Sequence, residues 1–281
     1  MPKENARIEA ALDHVRTVST GGALRRAAKI TVHFHPDALY RGGTVIEALA
    51  LDRTYRSQFE TGISNGGLTA KPGGDRWEWE RRLFGGQYDA SEPEARPKYG
   101  SLSLDGDEYG GSPRFGSSHL RLREDVLDRT TFCVPDSVFG PTRFGTADRF
   151  ALDDAVEEYG FDDPLDAYVE AQVHGPIDLE ADVEALVLDP SYRDSGVEAA
   201  ARNLGCPIEW HPGYAASSAL LRNHPEYRGE RISELAAGFA ENAGGALDPY
   251  QLGLVRSRTD LDPQHVKKAW HLLARFGRRN G

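Results

Sequence analysis

Glycine and proline stops divide the middle of the chain, from about residue 55 to 150, into short segments that are mostly extended. The sequence of 281 residues contains 30 glycines and 16 prolines. Because both residue types interrupt regular secondary structure, each segment is limited to a short strand or to one or two helical turns. This spacing argues against a doubly wound sheet of alternating βα units, and no G-x-G-x-x-G or P-loop motif is present.

Helical patterns lie on both sides of this middle section. Apolar residues at helical spacing predict a helix over 3–18, and the strand I-T-V-H-F follows two glycines. A short helix capped by Thr44 comes next, and an acidic helix is predicted near 152–159. The segment L-E-A-D-V-E-A-L-V-L-D indicates a short helix, or a helix followed by a strand. From about residue 195 the pattern is helical, so the element order predicts an α+β fold.

Charge and composition restrict the classes of partner. The formal net charge is −11, which argues against an extended nucleic-acid interface. No apolar run approaches the roughly 20 residues that span a bilayer, and the N-terminal residues lack the apolar centre of a signal peptide. Two cysteines are too few for a disulfide framework or a thiolate metal site. We therefore expect a soluble intracellular protein with no membrane partner, with export without a cleaved signal as the alternative.

The predicted strand I-T-V-H-F-H-P-D carries His33 and His35 on one face. Two histidines at this spacing can chelate one metal ion, and Asp37 could join them. One histidine could instead hold a ligand hydroxyl, while its other ring nitrogen is fixed by the protein. Histidines bonded only to the protein backbone are the third interpretation.

A later strand, D-A-Y-V-E-A-Q-V-H-G, places Tyr168, Glu170, Gln172 and His174 on one face. A carboxylate between apolar neighbours costs free energy when buried, unless it faces a cleft. Glu170 is therefore a candidate functional residue. The alternative is an antiparallel strand whose polar face meets water.

Two further segments carry candidate binding groups. The turn T-G-I-S-N-G-G offers Ser64, Asn65 and backbone N–H groups near Gly66, which together could form an anion-binding nest. The same composition is also typical of an ordinary loop.

The second segment, D-R-W-E-W-E-R-R-L-F, is followed by two tyrosines. Arg76, Arg81 and Arg82 could bind a diphosphate, or they could belong to an amphipathic surface helix. Tyr88 and Tyr99 are candidate walls for a planar ring, although either tyrosine could simply be structural.

Several of these motifs resemble an uncharacterised bacterial family known as domain of unknown function 3626. The resemblance rests on H-F-H-P-D, T-G-I-S-N-G-G-L-T, R-P-K-Y-G, the R-T-T-F…D-S stretch and E-A-Q-V-H-G, and it spans roughly residues 25–215. It implies no established activity. It implies a bacterial protein, which we expect to be cytoplasmic or exported as an effector.

The order of elements also resembles mono-ADP-ribosyltransferases of the His–Tyr–Glu type. V-H-F-H, the helix V-I-E-A-L-A-L and T-G-I-S-N-G-G match the early part in outline, and Y-V-E-A-Q-V-H-G looks like the glutamate strand. This resemblance implies a split antiparallel sheet with flanking helices. It further implies a catalytic domain over residues 1–215 and a helical C-terminal extension over 216–281.

The second resemblance implies NAD as the substrate, with no metal. By this analogy Glu170 stabilises the positive charge that develops on the ribose when the nicotinamide bond breaks. The implied NAD-binding residues come from several segments: His33, His35, Ser64, Asn65, Gly66, Arg82, Tyr88, Tyr99 and Gln172.

The sequence departs from this pattern at two places. Pro36 and the second histidine are not the usual continuation of the first-strand motif, and Tyr168 stands where an arginine-modifying transferase would carry an acid. The sequence therefore leaves three classes of acceptor as alternatives: a protein, a nucleic acid or a small molecule. Two alternatives to an NAD-consuming enzyme are a metal-dependent hydrolase using His33, His35 and Asp37, and a non-catalytic protein-binding module.

Overall fold

The computed structural model describes residues 2–24, 27–62, 68–258 and 260–279. In these residues the helices are α1 (Pro2–Val18), α2 (Val45–Asp52), α3 (Gln58–Thr61), α4 (Asp75–Leu83), α5 (Leu152–Tyr159), α6 (Gly196–Ala201), α7 (Ser218–Arg222), α8 (Glu230–Asn242), α9 (Pro249–Arg256) and α10 (Pro263–Phe276). Within the same ranges, none of the helices combines the length and the apolar character that crossing a membrane requires.

The strands are mostly short. They are β1 (Lys29–Phe34), β2 (Leu39–Tyr40), β3 (Gly43–Thr44), β4 (Thr54–Tyr55), β5 (Lys98–Ser103), β6 (Ser118–Leu122), β7 (Thr130–Val134), β8 (Arg143–Thr146), β9 (Val169–Val173), β10 (Ile177–Asp178), β11 (Val183–Leu188), β12 (Ile208–Trp210), β13 (Ala216–Ser217) and β14 (Ala246–Leu247). The 3₁₀ turns of the described residues include Pro113–Phe115, Ser137–Phe139 and Pro190–Tyr192.

The main sheet has eight strands in the order β12-β11-β6-β1-β5-β9-β7-β8. Strand β5 pairs antiparallel with β1 and β9, and β7 pairs antiparallel with β9 and β8. Strands β11 and β12 are parallel. The predicted mixture of helices with a mostly antiparallel sheet is therefore confirmed at this level.

The chain forms two compact units, each built from separate segments. Unit 1 comprises Met1–Val32, Arg53–Ser112 and Arg121–Glu184, and unit 2 comprises His33–Asp52, Pro113–Leu120 and Ala185–Gly281. Residues 185–215 group with the C-terminal helices in unit 2, and the predicted division into residues 1–215 and 216–281 stays a prediction.

In unit 1, a hydrophobic cluster lies against the β7 and β8 side of the sheet. Ala11 and Val15 of α1 and Trp79 and Leu83 of α4 are buried in it together with Cys133 of β7. These positions recur every three or four residues along each helix, as expected when one apolar stripe is buried. This cluster sets α1 and the start of α4 beside the polar side chains of β7 and β9.

Most predicted elements are confirmed, and one is wrong. The helices over 3–18 and 152–159 are present as α1 and α5, and Thr44 accepts a hydrogen bond from the Glu47 N–H at the start of α2. The helix predicted within L-E-A-D-V-E-A-L-V-L-D is absent, because this stretch is a turn followed by β11. A strand in a parallel pair is buried on both faces and therefore carries a continuous apolar run, which resembles a buried helix in sequence.

Gly100 tests the packing of the central strand β5. A Cβ atom at this position would lie 2.7 Å from the carbonyl oxygen of Thr31 on β1. We expect Gly100→Ala to lower the free energy of unfolding by about 2 kcal/mol, because a backbone atom cannot move aside as a flexible side chain can.

Gly238 in α8 is the contrasting position, since a Cβ atom added there would have no atom within 4 Å. Gly238→Ala should therefore raise stability by about 0.5–1 kcal/mol, and urea unfolding of both variants measures the contrast. Equal effects at the two sites would contradict the described packing of β5.

Candidate active site

The register of β5, β9 and β7 places polar side chains in rows across one sheet face of unit 1. Ser101, Glu170 and Cys133 form one row, since Glu170 pairs with Ser101 on one side and with Cys133 on the other. In the next row, Gln172 lies between Tyr99 and Thr131. The predicted polar face of the Glu170 strand is therefore present, but the whole of β9 is buried and does not meet bulk water.

Both carboxylate oxygens of Glu170 accept hydrogen bonds. Oε2 accepts from the Ser137 hydroxyl at 2.8 Å and from the Ser137 backbone N–H at 3.3 Å. Oε1 accepts from the side-chain amide of Gln172 at 3.0 Å, and the Cys133 thiol lies 3.7 Å from the same oxygen. Only 6% of Glu170 is exposed, so these donors take the place of water around the carboxylate.

Arg76, in the first turn of α4, brings a positive charge to this site. Its Nη1 lies 3.9 Å from Glu170 Oε1 and donates to the Ser137 hydroxyl at 2.6 Å, while its Nε donates to Gln58 at 3.2 Å. The guanidinium lies over the Tyr99 ring, 4.0 Å from the ring centroid. Arg76 and Glu170 are thus a buried charge pair joined through one serine hydroxyl.

Burial and the nearby positive charge shift the pKa of Glu170 in opposite directions. Burial raises the pKa of Glu170 above its ordinary value, and the positive charge of Arg76 opposes this shift. The neighbouring Asp136 carboxylate adds to the rise in this pKa, whereas the hydrogen bonds from Ser137 and Gln172 lower it. A carboxyl group whose pKa lies nearer to neutrality is suited to exchanging protons during a reaction.

A second buried charge pair, between Arg96 and Glu80, holds the hydroxyl of Tyr99. The Tyr99 hydroxyl donates to Glu80 at 2.8 Å, and Arg96 donates to the other oxygen of Glu80 at 2.6 Å. The second Nη atom of Arg96 donates to the backbone carbonyl of Tyr88 at 2.8 Å. These bonds fix the orientation of the Tyr99 ring beside Arg76.

The remaining predicted residues of unit 1 have varied surroundings. Tyr88 is a core residue whose hydroxyl lies 2.7 Å from Nδ1 of His174. Arg82 is exposed on α4. Ser64, Asn65 and Gly66 fall outside the described residues, so the predicted anion-binding turn stays a prediction.

His33 and His35 belong to unit 2 and contact different groups there. Nδ1 of His33 lies 3.2 Å from the Gly116 carbonyl oxygen, and its ring centroid lies 4.9 Å from that of His119. Burial lowers the pKa of His33 to about 3, so this ring is neutral. His35 is half-buried, with its ring edge-on to Trp270 at 4.9 Å. The role of these two histidines as NAD contacts stays a prediction.

Asp37, the third member of the alternative metal set, is paired with an arginine. Nη1 of Arg256 donates to Asp37 Oδ1 at 3.0 Å, and a Cβ at Gly253 would fall 1.5 Å from Asp37 Oδ2. No group of three His, Cys, Asp or Glu side chains able to hold a metal ion is found in residues 2–24, 27–62, 68–258 and 260–279. The metal-dependent hydrolase stays a prediction of the sequence.

Sequence reasoning missed three residues of the Glu170 site, which are Cys133, Asp136 and Ser137. Cys133 lies on β7, and Ser137 lies in the turn after it. Asp136 accepts a short hydrogen bond from the Tyr168 hydroxyl. Asp136 also caps the Ser137–Phe139 turn by accepting from the Val138 N–H at 3.1 Å. The dipeptide D-S after a strand was the available signal, because Asp commonly caps a turn whose following N–H groups point at one place.

Acid sensitivity of the fold follows from buried neutral histidines such as His174. Burial lowers the pKa of His174 to about 3, and its two ring nitrogens lie near the Tyr88 and Thr131 hydroxyls. The unfolded chain therefore binds more protons than the folded chain between pH 6.5 and about 3, and this stability is lost as the pH falls. We expect a slope of about 1.4 kcal/mol per pH unit from this residue in that range.

The measurement is the free energy of unfolding as a function of pH. His174→Gln should reduce the slope below pH 6.5, and the same change at exposed His14 should leave it unaltered. An unchanged slope in His174→Gln would show that the residue is not held neutral.

Comparison with known proteins identifies one protein family. The family model described as Protein of unknown function (DUF3626) matches residues 29–159 and 154–276. No curated protein matches the chain. Because the matched ranges cover most of the 281 residues, the chain belongs to the family described as Protein of unknown function (DUF3626).

Proposed function

We propose that this chain cleaves the nicotinamide–ribose bond of NAD, as a mono-ADP-ribosyltransferase or an NAD glycohydrolase. The observation that carries the proposal is the Glu170 carboxylate, which is buried, held by donors on both oxygens and placed beside the Arg76 guanidinium. A carboxylate fixed in this way can stabilise a positive charge without first reorganising its surroundings. The ADP-ribosyltransferase resemblance of the sequence is the second support.

The proposed reaction begins with departure of nicotinamide. The C1′–N bond breaks, its electron pair leaves with nicotinamide, and the ribose ring acquires oxocarbenium character. The ionised Glu170 carboxylate stabilises that positive charge, and burial strengthens the interaction because it excludes water. A nucleophile then bonds to C1′ and transfers its proton to Glu170. Water as the nucleophile gives the glycohydrolase, and an acceptor group gives the transferase.

The residues around Glu170 bear on which class of acceptor receives the ADP-ribose. Tyr168 occupies the position two residues before Glu170, and its hydroxyl is bonded to Asp136. An arginine-modifying transferase would carry an acid at the Tyr168 position, and a phenol cannot pair with a guanidinium as a carboxylate does, so arginine is not the acceptor that we propose. The acceptor stays open among a protein side chain other than arginine, a nucleic acid and a small molecule.

Other residues implied by the resemblance enter the proposal in supporting roles. Gln172 holds Oε1 of the catalytic carboxylate, and the Tyr99 ring braces Arg76. Arg82 is a proposed NAD contact on the resemblance alone, and the roles implied for His33, His35 and Tyr88 stay predictions. NAD is the substrate in this proposal, and no step uses a metal ion.

Glu170→Gln tests the central claim. We expect NAD consumption to fall at least about a hundredfold, because the amide keeps the shape of the side chain but cannot stabilise a cation. Nicotinamide release by the purified protein, with and without a chelator, is the measurement. Glu157→Gln on exposed α5 is the matched control and should retain full activity. A Glu170→Gln protein that melts like the wild type and still consumes NAD would overturn the proposal.

Ser137→Ala tests whether the hydroxyl between Arg76 and Glu170 positions the carboxylate. Loss of this donor removes a bond to the ionised form, so the pKa of Glu170 should rise further. We expect kcat to fall roughly tenfold and the acid limb of the kcat/KM profile to move to higher pH. Ser257→Ala, at an exposed position, controls for the substitution itself. A reduced kcat with an unmoved acid limb would indicate a merely structural serine.

A further inference from the structure

A line of hydrogen bonds between side chains of unit 1 ends at the Glu170 carboxylate. Its members come from β7, from β9, from the residue after β9 and from the segment after α4, and each is exposed by 6% or less: Tyr88, Thr131, Glu170, Gln172 and His174. Because these side chains are buried, their polar atoms depend on one another for hydrogen bonds.

Four contacts make this hydrogen-bond line continuous. The Tyr88 hydroxyl lies 2.7 Å from Nδ1 of His174, and Nε2 of His174 lies 3.1 Å from the Thr131 hydroxyl. Thr131 Oγ1 lies 2.8 Å from Gln172 Oε1, and Gln172 Nε2 lies 3.0 Å from Glu170 Oε1. Each of the three middle residues therefore bonds to a neighbour on both sides.

The direction of these bonds follows from the Glu170 end of the line. An ionised carboxylate can only accept hydrogen bonds, so Gln172 turns its amide N–H₂ toward Glu170 and its carbonyl oxygen toward Thr131. That carbonyl oxygen can also only accept, so the single hydroxyl proton of Thr131 is donated to it. The amide nitrogen of Gln172 donates as well to Cys133 Sγ at 3.3 Å, which agrees with this orientation.

The tautomer of His174 is fixed by the same bonds. Since the Thr131 proton is already donated to Gln172, the Thr131 oxygen accepts from His174, and Nε2 of the ring carries the hydrogen. Burial lowers the pKa of His174 to about 3, so the ring is neutral and its Nδ1 is bare. The Tyr88 hydroxyl donates to that nitrogen. All four bonds therefore donate in the direction of the Glu170 carboxylate.

A second arrangement satisfies the same atoms in the reverse direction. With the Gln172 amide turned over, its carbonyl oxygen would face Glu170 and its N–H₂ would face Thr131. Thr131 would then donate to Nε2 of His174, and the ring hydrogen would lie on Nδ1. In this arrangement Glu170 Oε1 meets another acceptor, which is favourable only when the carboxyl group carries a proton. The direction of the hydrogen-bond line and the charge of Glu170 are thus coupled.

We propose that Thr131 and His174 are positioning residues that favour the ionised form of Glu170 by fixing the orientation of the Gln172 amide. Their effect reaches the carboxylate through Gln172, whose N–H donates to the ionised form. The importance of this effect for catalysis rests on the proposed function, because a carboxylate has to be ionised to stabilise a cation. The effect on the charge of Glu170 does not depend on that function.

Thr131→Val is the first test, because valine has the shape of threonine but lacks the hydroxyl. The hydroxyl then no longer selects the Gln172 orientation that donates to Glu170, so the pKa of Glu170 should rise by roughly half to one pH unit. The measurement is a carboxyl ¹³C NMR titration of the full chain, in which Glu170→Gln identifies the Glu170 signal. Thr131→Ser keeps the hydroxyl and should titrate like the wild type. An unshifted Glu170 signal in Thr131→Val would overturn the proposal.

Thr130→Val is the matched control on the same strand. Thr130 and Thr131 are both fully buried, but they point to opposite faces of the sheet, and the Thr130 hydroxyl donates to the Val126 carbonyl at 2.7 Å. Each variant therefore loses a buried hydroxyl from β7, and Thr130→Val should leave the Glu170 titration unchanged. Equal shifts in the two variants would indicate a general loosening of β7 and would overturn the proposal.

The tautomer of His174 is measured separately by ¹⁵N NMR of the imidazole nitrogens at neutral pH, with His174→Gln identifying the signals. We expect the form with hydrogen on Nε2, because Nδ1 accepts from the Tyr88 hydroxyl. A ring with its hydrogen on Nδ1 would reverse the bonds of the line and would overturn the proposal.

Kinetics connect the hydrogen-bond line to the proposed reaction. The acid limb of the kcat/KM profile for NAD consumption should move to higher pH in Thr131→Val, by the same amount as the Glu170 titration. An acid limb that stays in place would overturn the catalytic part of this proposal. A wild-type protein that consumes no NAD would refute the proposed function alone, because the NMR titrations do not involve NAD.

Discussion

The polar sheet face of unit 1 depends on one constraint, which is that a buried carboxylate needs partners for both of its oxygens. Glu170 lies on a fully buried strand, so every donor that water would have supplied has to come from the chain. Ser137 and Gln172 provide these donors, and Arg76 provides the opposing charge. The position of α4 follows from the same requirement, since its first turn delivers Arg76.

The sequence predicted the elements better than the contacts between them. Strand periodicity was enough to place Tyr168, Glu170, Gln172 and His174 on one face, because the alternation of side chains is a local property. The meeting of Arg76, Ser137 and Glu170 was not predictable, since the residues are separated by 61 positions and by 33 positions. Only the folding of the sheet brings such distant segments together.

The one helix that was wrongly predicted, in the stretch that forms β11, also depends on a contact between distant segments. Val183–Leu188 reads as a helix or as a strand, because a segment buried on both faces loses the alternation that distinguishes the two. Its pairing with Ile208–Trp210, which decides the matter, is a long-range contact. By contrast, the helix predicted near 152–159 is present as α5, because a short amphipathic helix with an exposed acidic face needs no distant partner to be recognised.

The ion pair between Asp37 and Arg256 affects how the chain can be assembled during its synthesis. The two residues are 219 positions apart, and Gly253 leaves the space that the Asp37 carboxylate occupies. At ribosomal rates of roughly 5–20 residues per second, about 11 to 44 seconds separate their emergence. Throughout that interval Asp37 lacks the arginine with which it finally pairs. The contact of this early residue with α9 therefore forms only after most of the chain has been made.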